Sequence, residues 1–379
     1  MRLRNLLREL PLPNEDEATQ RSLAVVRAAF AAREPVRRRR TAYLKPTIAV
    51  AAAAAIVAAA LSPPGRAVLG SLRKTVAGEK RVVATELFAL PTGGRLLVNS
   101  PHGPWIVQPN GSRRLLGDYR DSAWSPHGKY VVVARANEVV AVDPKGVVKW
   151  TLPRPKVRFA RWGGSRTDTR VAYLSGSRLH MVAGDGTGDV DLCGEPPAAR
   201  VAPAWQPTPV HVVAYADTRG RVSVIDADAC SLAWRSPPFP EPRALRWSDD
   251  SRRLLLVTRN KLAVFGLSRG KPLAVRWMRG VTDAAFAPHS HELALVRRGE
   301  VLALNADRLH ATPRRLFRVT GRIGQIAWSP NGRWLLVTWP DADQFLFVRG
   351  RHIRAVSAIA RQFGGGAFPS IGGWCCTSS

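Results

Sequence analysis

Residues 123–128 read Ala123-Trp124-Ser125-Pro126-His127-Gly128, and residues 327–332 read Ala327-Trp328-Ser329-Pro330-Asn331-Gly332. In each, a small residue and an aromatic close a strand, and Ser-Pro-x-Gly turns the chain. Proline presets one backbone angle of that turn and glycine accepts the left-handed one. The same column returns as FARWGGS around Trp162, APAWQPT around Trp205, ALRWSDDSRR around Trp247 and AAFAPHSHE around Phe286. From Trp124 to Trp328 the intervals are 38, 43, 42, 39 and 42 residues. A period in this range marks a repeated unit that cannot bury its own apolar faces.

Each anchor is followed by a β-rich run, as in YVVVA at 130–134, RVAYL at 170–174, HVVAY at 211–215 and RLLLVT at 253–258. A second apolar run ends at Val107, Val142, Val182, Ile225, Phe265, Leu304 and Val348, before turns such as DPKG, AGDG and NADR. Three or four short strands per unit of about 41 residues, without helical periodicity, describe a propeller blade. The fold class is therefore all-β, with aromatic anchors filling the gaps between stacked sheets. The second column counts seven copies and the first six, so seven blades are expected, with six or eight as alternatives. The innermost strand of the opening blade comes either from residues near 82–90 or from the stretch Phe368 to Trp374, which would clasp the ring shut.

The AWSPxG turns at 123–128 and 327–332 resemble the TolB-type, WD-like propeller repeat of bacterial envelope proteins. The resemblance spans roughly residues 82–360 and implies an interaction platform in the envelope. Neither a Trp-Asp dipeptide nor the Gly-His of WD repeats accompanies it.

Ahead of the repeats, PTIAVAAAAAIVAAALSPPG lies uncharged between Lys45 and Arg66. Its apolar part, Thr47 to Leu61, is short and rich in alanine, but Arg37 to Arg40 and Lys45 precede it. That arrangement holds the N-terminus in the cytoplasm and sends the rest outside. A buried soluble helix and a cleaved signal peptide are the alternatives. Some forty residues before the apolar run exceed an ordinary leader, and the twin-arginine spacing is one residue too long. The expected organisation is a basic cytoplasmic tail (1–46), a single-pass signal anchor (47–62), a linker (63–81) and an extracytoplasmic propeller (82–379). In the tail, Asn14 caps a helix whose first turn carries Glu15, Asp16 and Glu17. Leu23, Val26, Ala29 and Phe30 give it one apolar face before Pro35. Residues 15–34 then dock a cytoplasmic regulatory protein, lie on anionic lipid, or remain a loosely ordered tail.

The chain of 379 residues holds 57 Lys and Arg against 28 Asp and Glu, a net charge of +29, and 45% hydrophobic residues. The apolar share excludes wholesale disorder. The basic excess is spread along the chain rather than clustered, and no nucleic-acid partner is expected from it. Within it, the loops that share one propeller face hold Arg120, Arg135, Arg154, Arg158, Arg178, Arg219, Arg259, Arg297 and Arg322. They also hold Lys156, Arg200, Arg243, Lys261, Arg279 and Arg298. Such a face attracts an anionic partner: an acidic protein, a wall polymer or lipid headgroups.

Cys193, Cys230, Cys375 and Cys376 all follow the apolar segment, on the side where disulfides persist. Cys193 and Cys230 fall on neighbouring blades, where a bridge is feasible. Cys375 and Cys376 pair in an eight-membered ring or elsewhere, since four cysteines allow three connectivities. The eight histidines show no metal-ligand spacing. His127, His289 and His291 belong to anchor turns, and Asp185, Asp189 and Asp191 miss the EF-hand pattern. With no GxSxG, HExxH or P-loop, no catalytic residue, cofactor or metal is assigned. A glycosidase pair contributed by two blades is the remaining enzymatic alternative. The leading expectation is a membrane-anchored, non-enzymatic envelope platform. An anti-sigma-like transmembrane regulator is the second.

Overall fold

The computed structural model describes residues 82–84 and 89–376, apart from 166, 193–194, 209 and 268–269. The expected tail helix and the apolar segment 47–62 lie outside these residues. Among the described residues no helix is long and apolar enough to cross a membrane.

Seven separate sheets of four or five strands form the propeller. Blade two shows the unit: Asp121–Trp124, Val131–Arg135, Glu138–Val142 and Val148–Pro153 run antiparallel in sequence order from axis to rim. Blades three to six repeat that order over 157–191, 204–235, 242–277 and 281–318. Blade seven begins at Ile326–Trp328. Six- and eight-bladed rings are thereby excluded.

Continuous apolar runs follow from burial on both faces. Successive strand residues point to opposite sides. In blade two, Val131 and Val133 join the core shared with blade one, while Val132 and Ala134 join the core shared with blade three. The same division yields seven apolar clusters, one per seam between neighbouring blades. At about 25 cal/mol per Å² of apolar area removed from water, these seams hold the ring together.

The opening blade takes its innermost strand from the C-terminus. Ser370–Cys375 pairs antiparallel with Arg95–Ser100, setting Trp374 opposite Leu96. Ile371 N–H also donates to Gln325 Oε1 of blade seven at 2.7 Å. The alternative donor, residues 82–90, does not fill that place. Val82–Ala84 instead adds a fifth, parallel strand to the rim of blade seven beside His352–Ser357. The C-terminal segment follows His352–Ser357 of blade seven and so reaches the axis by the same outer-to-inner crossover that joins the other blades.

Candidate functional site

The six expected anchors, Trp124, Trp162, Trp205, Trp247, Phe286 and Trp328, all lie on innermost strands. Several do more than fill space. The indole N–H of Trp205 donates to Arg161 O at 2.8 Å, Trp247 to Ala204 O at 3.1 Å, Trp124 to Gly373 O at 3.3 Å and Trp328 to Ala285 O at 3.4 Å. Each acceptor is the residue just before the anchor of the preceding blade, so the indoles tie neighbours together. Trp374 occupies the seventh anchor position. The sequence offers its stretch only as one of two candidates for the closing strand and does not count it among the anchors, because Cys375 stands where the repeat has Ser. Its interval of 46 residues from Trp328 was the available signal.

The turns after the anchors gather at one end of the ring, and the hairpins that follow the second strands gather at the other. Around the turn end, an opening of about 970 Å³ is lined by Pro126, His127, Asp249, Asp250, His289, Ser290 and His291. His291 Nε2 lies 2.9 Å from Asp250 Oδ2, and its Nδ1 lies 2.5 Å from Asp307 Oδ2. Arg253 completes the group 2.7 Å from Asp307 Oδ1. The hydrogen bond to Asp307 raises the His291 pKa, despite some opposing burial. Burial alone would raise Asp250, but Ser248, the Arg252 N–H and His291 outweigh it and hold this carboxyl at about 2. These contacts clamp blade five to blade six. Sequence spacing hides them because the partners come from three separate turns.

The opposite end carries the arginines. Arg120, Arg158, Arg219 and Arg297 lie on its loops or strand ends, and among the described residues none of them has an ion pair. The rest of the nine are partly neutralised by acids that the same loops bring in. Arg135 pairs with Glu138, Arg154 with Asp189, Arg178 with Asp191, Arg259 with Glu241, and Arg322 with Asp341. Exposed pairs of this kind add little stability, yet they lower the field at the face. The basic face expected from sequence therefore carries acidic residues among its arginines.

Asp185, Asp189 and Asp191 do not converge. Asp185 accepts from the Thr187 N–H and hydroxyl, Asp189 takes the Tyr173 hydroxyl and Arg154, and Asp191 takes Arg178. Burial pushes the Tyr173 phenol up, and its bond to Asp189 pushes the same way. Cys375 and Cys376 are joined to each other, and their sulfurs lie against the Ser125 and Pro126 carbonyls. Cys230 is disulfide-bonded, while Cys193 lies outside the described residues.

No family model and no curated protein matches the chain. Its structure is similar to the C-terminal WD40 domain of Sif2, with a TM-score of 0.53 and 12% identity, covering 75% of this chain and 86% of that one. It is also similar to KlHsv2 with loop 6CD replaced by a Gly-Ser linker, at TM-score 0.51 and 12% identity over 68% of this chain and 89% of that one. For the β-propeller domain of Myceliophteria thermophila Cps50 (Swd1), the TM-score is 0.50 with 14% identity over 63% and 86%. At such identities the likeness establishes the architecture: a WD40-type seven-bladed propeller.

Proposed function

We propose that this chain is a membrane-anchored, non-enzymatic interaction platform of a bacterial cell envelope, related to the TolB-type propellers, that receives an anionic partner on its arginine-bearing face. Propellers of the WD40 type are typically protein-interaction platforms, in agreement with a binding role. The observation that carries the anionic partner is the set Arg120, Arg158 and Arg219, without acidic partners among the described residues, on loops or strand ends of consecutive blades two to four. The apolar segment behind Arg37 to Arg40 supports the anchor and an extracytoplasmic propeller.

Labelled poly-L-glutamate tests the face directly. Reversing Arg120, Arg158 and Arg219 to Glu together should weaken its binding by more than tenfold at low salt, and the wild-type affinity should fall as salt is raised. Unchanged affinity in the triple variant would remove the proposed face. The regulatory reading rests on the apolar stripe of residues 15–34. Deleting residues 1–36 should then abolish a transcriptional response while the propeller is still exported, and an unaltered response would leave the platform reading alone.

A further inference from the structure

The seam between blades two and three combines alanines and valines, among them Ala123, Ala141, Val132 and Val171, with the large rings of Trp162 and Tyr173. On the anchor-turn side, away from the arginine face, that seam opens into a cleft of about 410 Å³. Tyr130, Trp150 and Trp162 form its aromatic walls. Tyr130 and Trp162 are stacked at 5.9 Å and 14°, and Trp150 is tilted 52° from Trp162 at 6.4 Å. The Trp150 indole donates to Gly184 O at 2.8 Å. A Cβ on Gly186 would fall 2.7 Å from the same ring, so the wall is held from two sides.

The polar groups around these walls are unequally satisfied. Asp143 lies 3.0 Å from Lys149, and Asp185 is occupied by both donors of Thr187. Trp162 is 8% exposed, yet its Nε1 has no hydrogen-bond partner, and neither does the buried Nε2 of His127. Lys129 is exposed and makes no ion pair among the described residues. A buried donor without an acceptor has lost its water and gained nothing in return. Trp374 shares that lack, but its ring is packed edge-on against Phe347 at 5.6 Å. An indole N–H and an ammonium can only donate. A ligand that satisfies both must bring acceptor oxygens, and one that fits the walls must bring a flat apolar body.

We propose that this cleft binds a small planar aromatic anion, its ring packed against the wall of Tyr130, Trp150 and Trp162 and its carboxylate towards Trp162 Nε1 and Lys129. A neighbouring hollow of about 480 Å³ shares His127, Lys129, Tyr130 and Lys149 and adds Arg95 and Asp143; Asp143 is paired with Lys149, which leaves Lys129 and Arg95 as its positive charges.

The full chain with nitrogen-15 in its indoles provides the test, using 2-naphthoate, its neutral amide, the matching ammonium compound and N-acetylglucosamine as probes. Binding of 2-naphthoate should move the Trp162 indole resonance, assigned by its disappearance in Trp162→Phe. Its affinity should exceed that of the amide at least fivefold. Lys129→Gln should abolish that preference while leaving the thermal midpoint unchanged, since the residue is exposed, and Trp162→Phe should weaken binding with the ring retained. An unmoved Trp162 signal at millimolar 2-naphthoate would overturn the proposal. So would equal binding of the amide or the ammonium compound, or a preference for the sugar. Because the cleft and the arginine face are at opposite ends of the blades, poly-L-glutamate binding reports on the other reading separately.

Discussion

The anchor aromatics form a set of near-identical residues whose environments differ by one hydrogen bond. Trp205 satisfies its indole on Arg161 O, whereas Trp162 leaves the same atom buried and unpaired. Replacing each by Phe keeps most of the ring and removes the donor. Trp205→Phe should therefore cost about 1–2 kcal/mol through the lost bond and the abandoned carbonyl, while Trp162→Phe should be close to neutral without ligand. Urea midpoints of the two variants decide this, and equal losses would contradict it. Gly163 adds to the constraint at Trp205, because a Cβ there would meet its ring at 2.1 Å. Aromatic column and period make the anchors legible in the sequence. The acceptor of each indole is not, since it lies on another blade, 43 or 44 residues away for Trp205, Trp247 and Trp328 and 249 away for Trp124.

At the scale of the strand, two-sided burial is the governing feature. Val132 and Val133 are adjacent in blade two, both fully buried, and face different seams. Val→Thr at either position puts a hydroxyl into an apolar cluster at similar volume and should destabilise by about 1–3 kcal/mol. In a one-sided sheet only one of the pair would respond. Comparable shifts in thermal midpoint for Val132→Thr and Val133→Thr are the expected result, and a silent member of the pair would count against the stacking. Unbroken runs such as YVVVA announced this burial, because a half-exposed strand alternates. The cleft in the same seam was not announced. Its lining comes from turns and strands of two blades, Tyr130, Lys149 and Trp150 from one and Trp162, Thr169 and Gly184 from the next, which are brought together only by stacking.

For the whole ring, the contacts between blades set the response to pH. The His291 charge is held by Asp307 and Asp250, so its folded pKa lies above the usual 6.5. A raised base stabilises fully below about 6.5 and loses that contribution as pH rises through its folded value. Asp250, at about 2, and Asp307, also lowered from 3.8, act in the opposite sense. Their contribution is present above about 3.8 and is lost as pH falls through the folded values. The clamp between blades five and six therefore works best between about pH 4 and 6.5. The thermal midpoint of His291→Gln should fall furthest below wild type near pH 5, and the gap should narrow towards about pH 9. A gap that widens with rising pH would refute the assignment.

Repetition of aromatic, turn and apolar run was enough to determine an all-β propeller and its blade period, because both are carried by residues close together in the chain; the count of seven over six or eight was decided by the seven sheets. The two faces of every strand were legible for the same reason. Tertiary structure alone decided which segment closes the ring, since Ser370–Cys375 and Val82–Ala84 are both short strands and only their arrival points differ. It also decided the charge of the arginine face. Glu138, Asp189, Asp191, Glu241 and Asp341 reach their arginines through folded loops, and electrostatics depends on distance in space rather than on position in the chain.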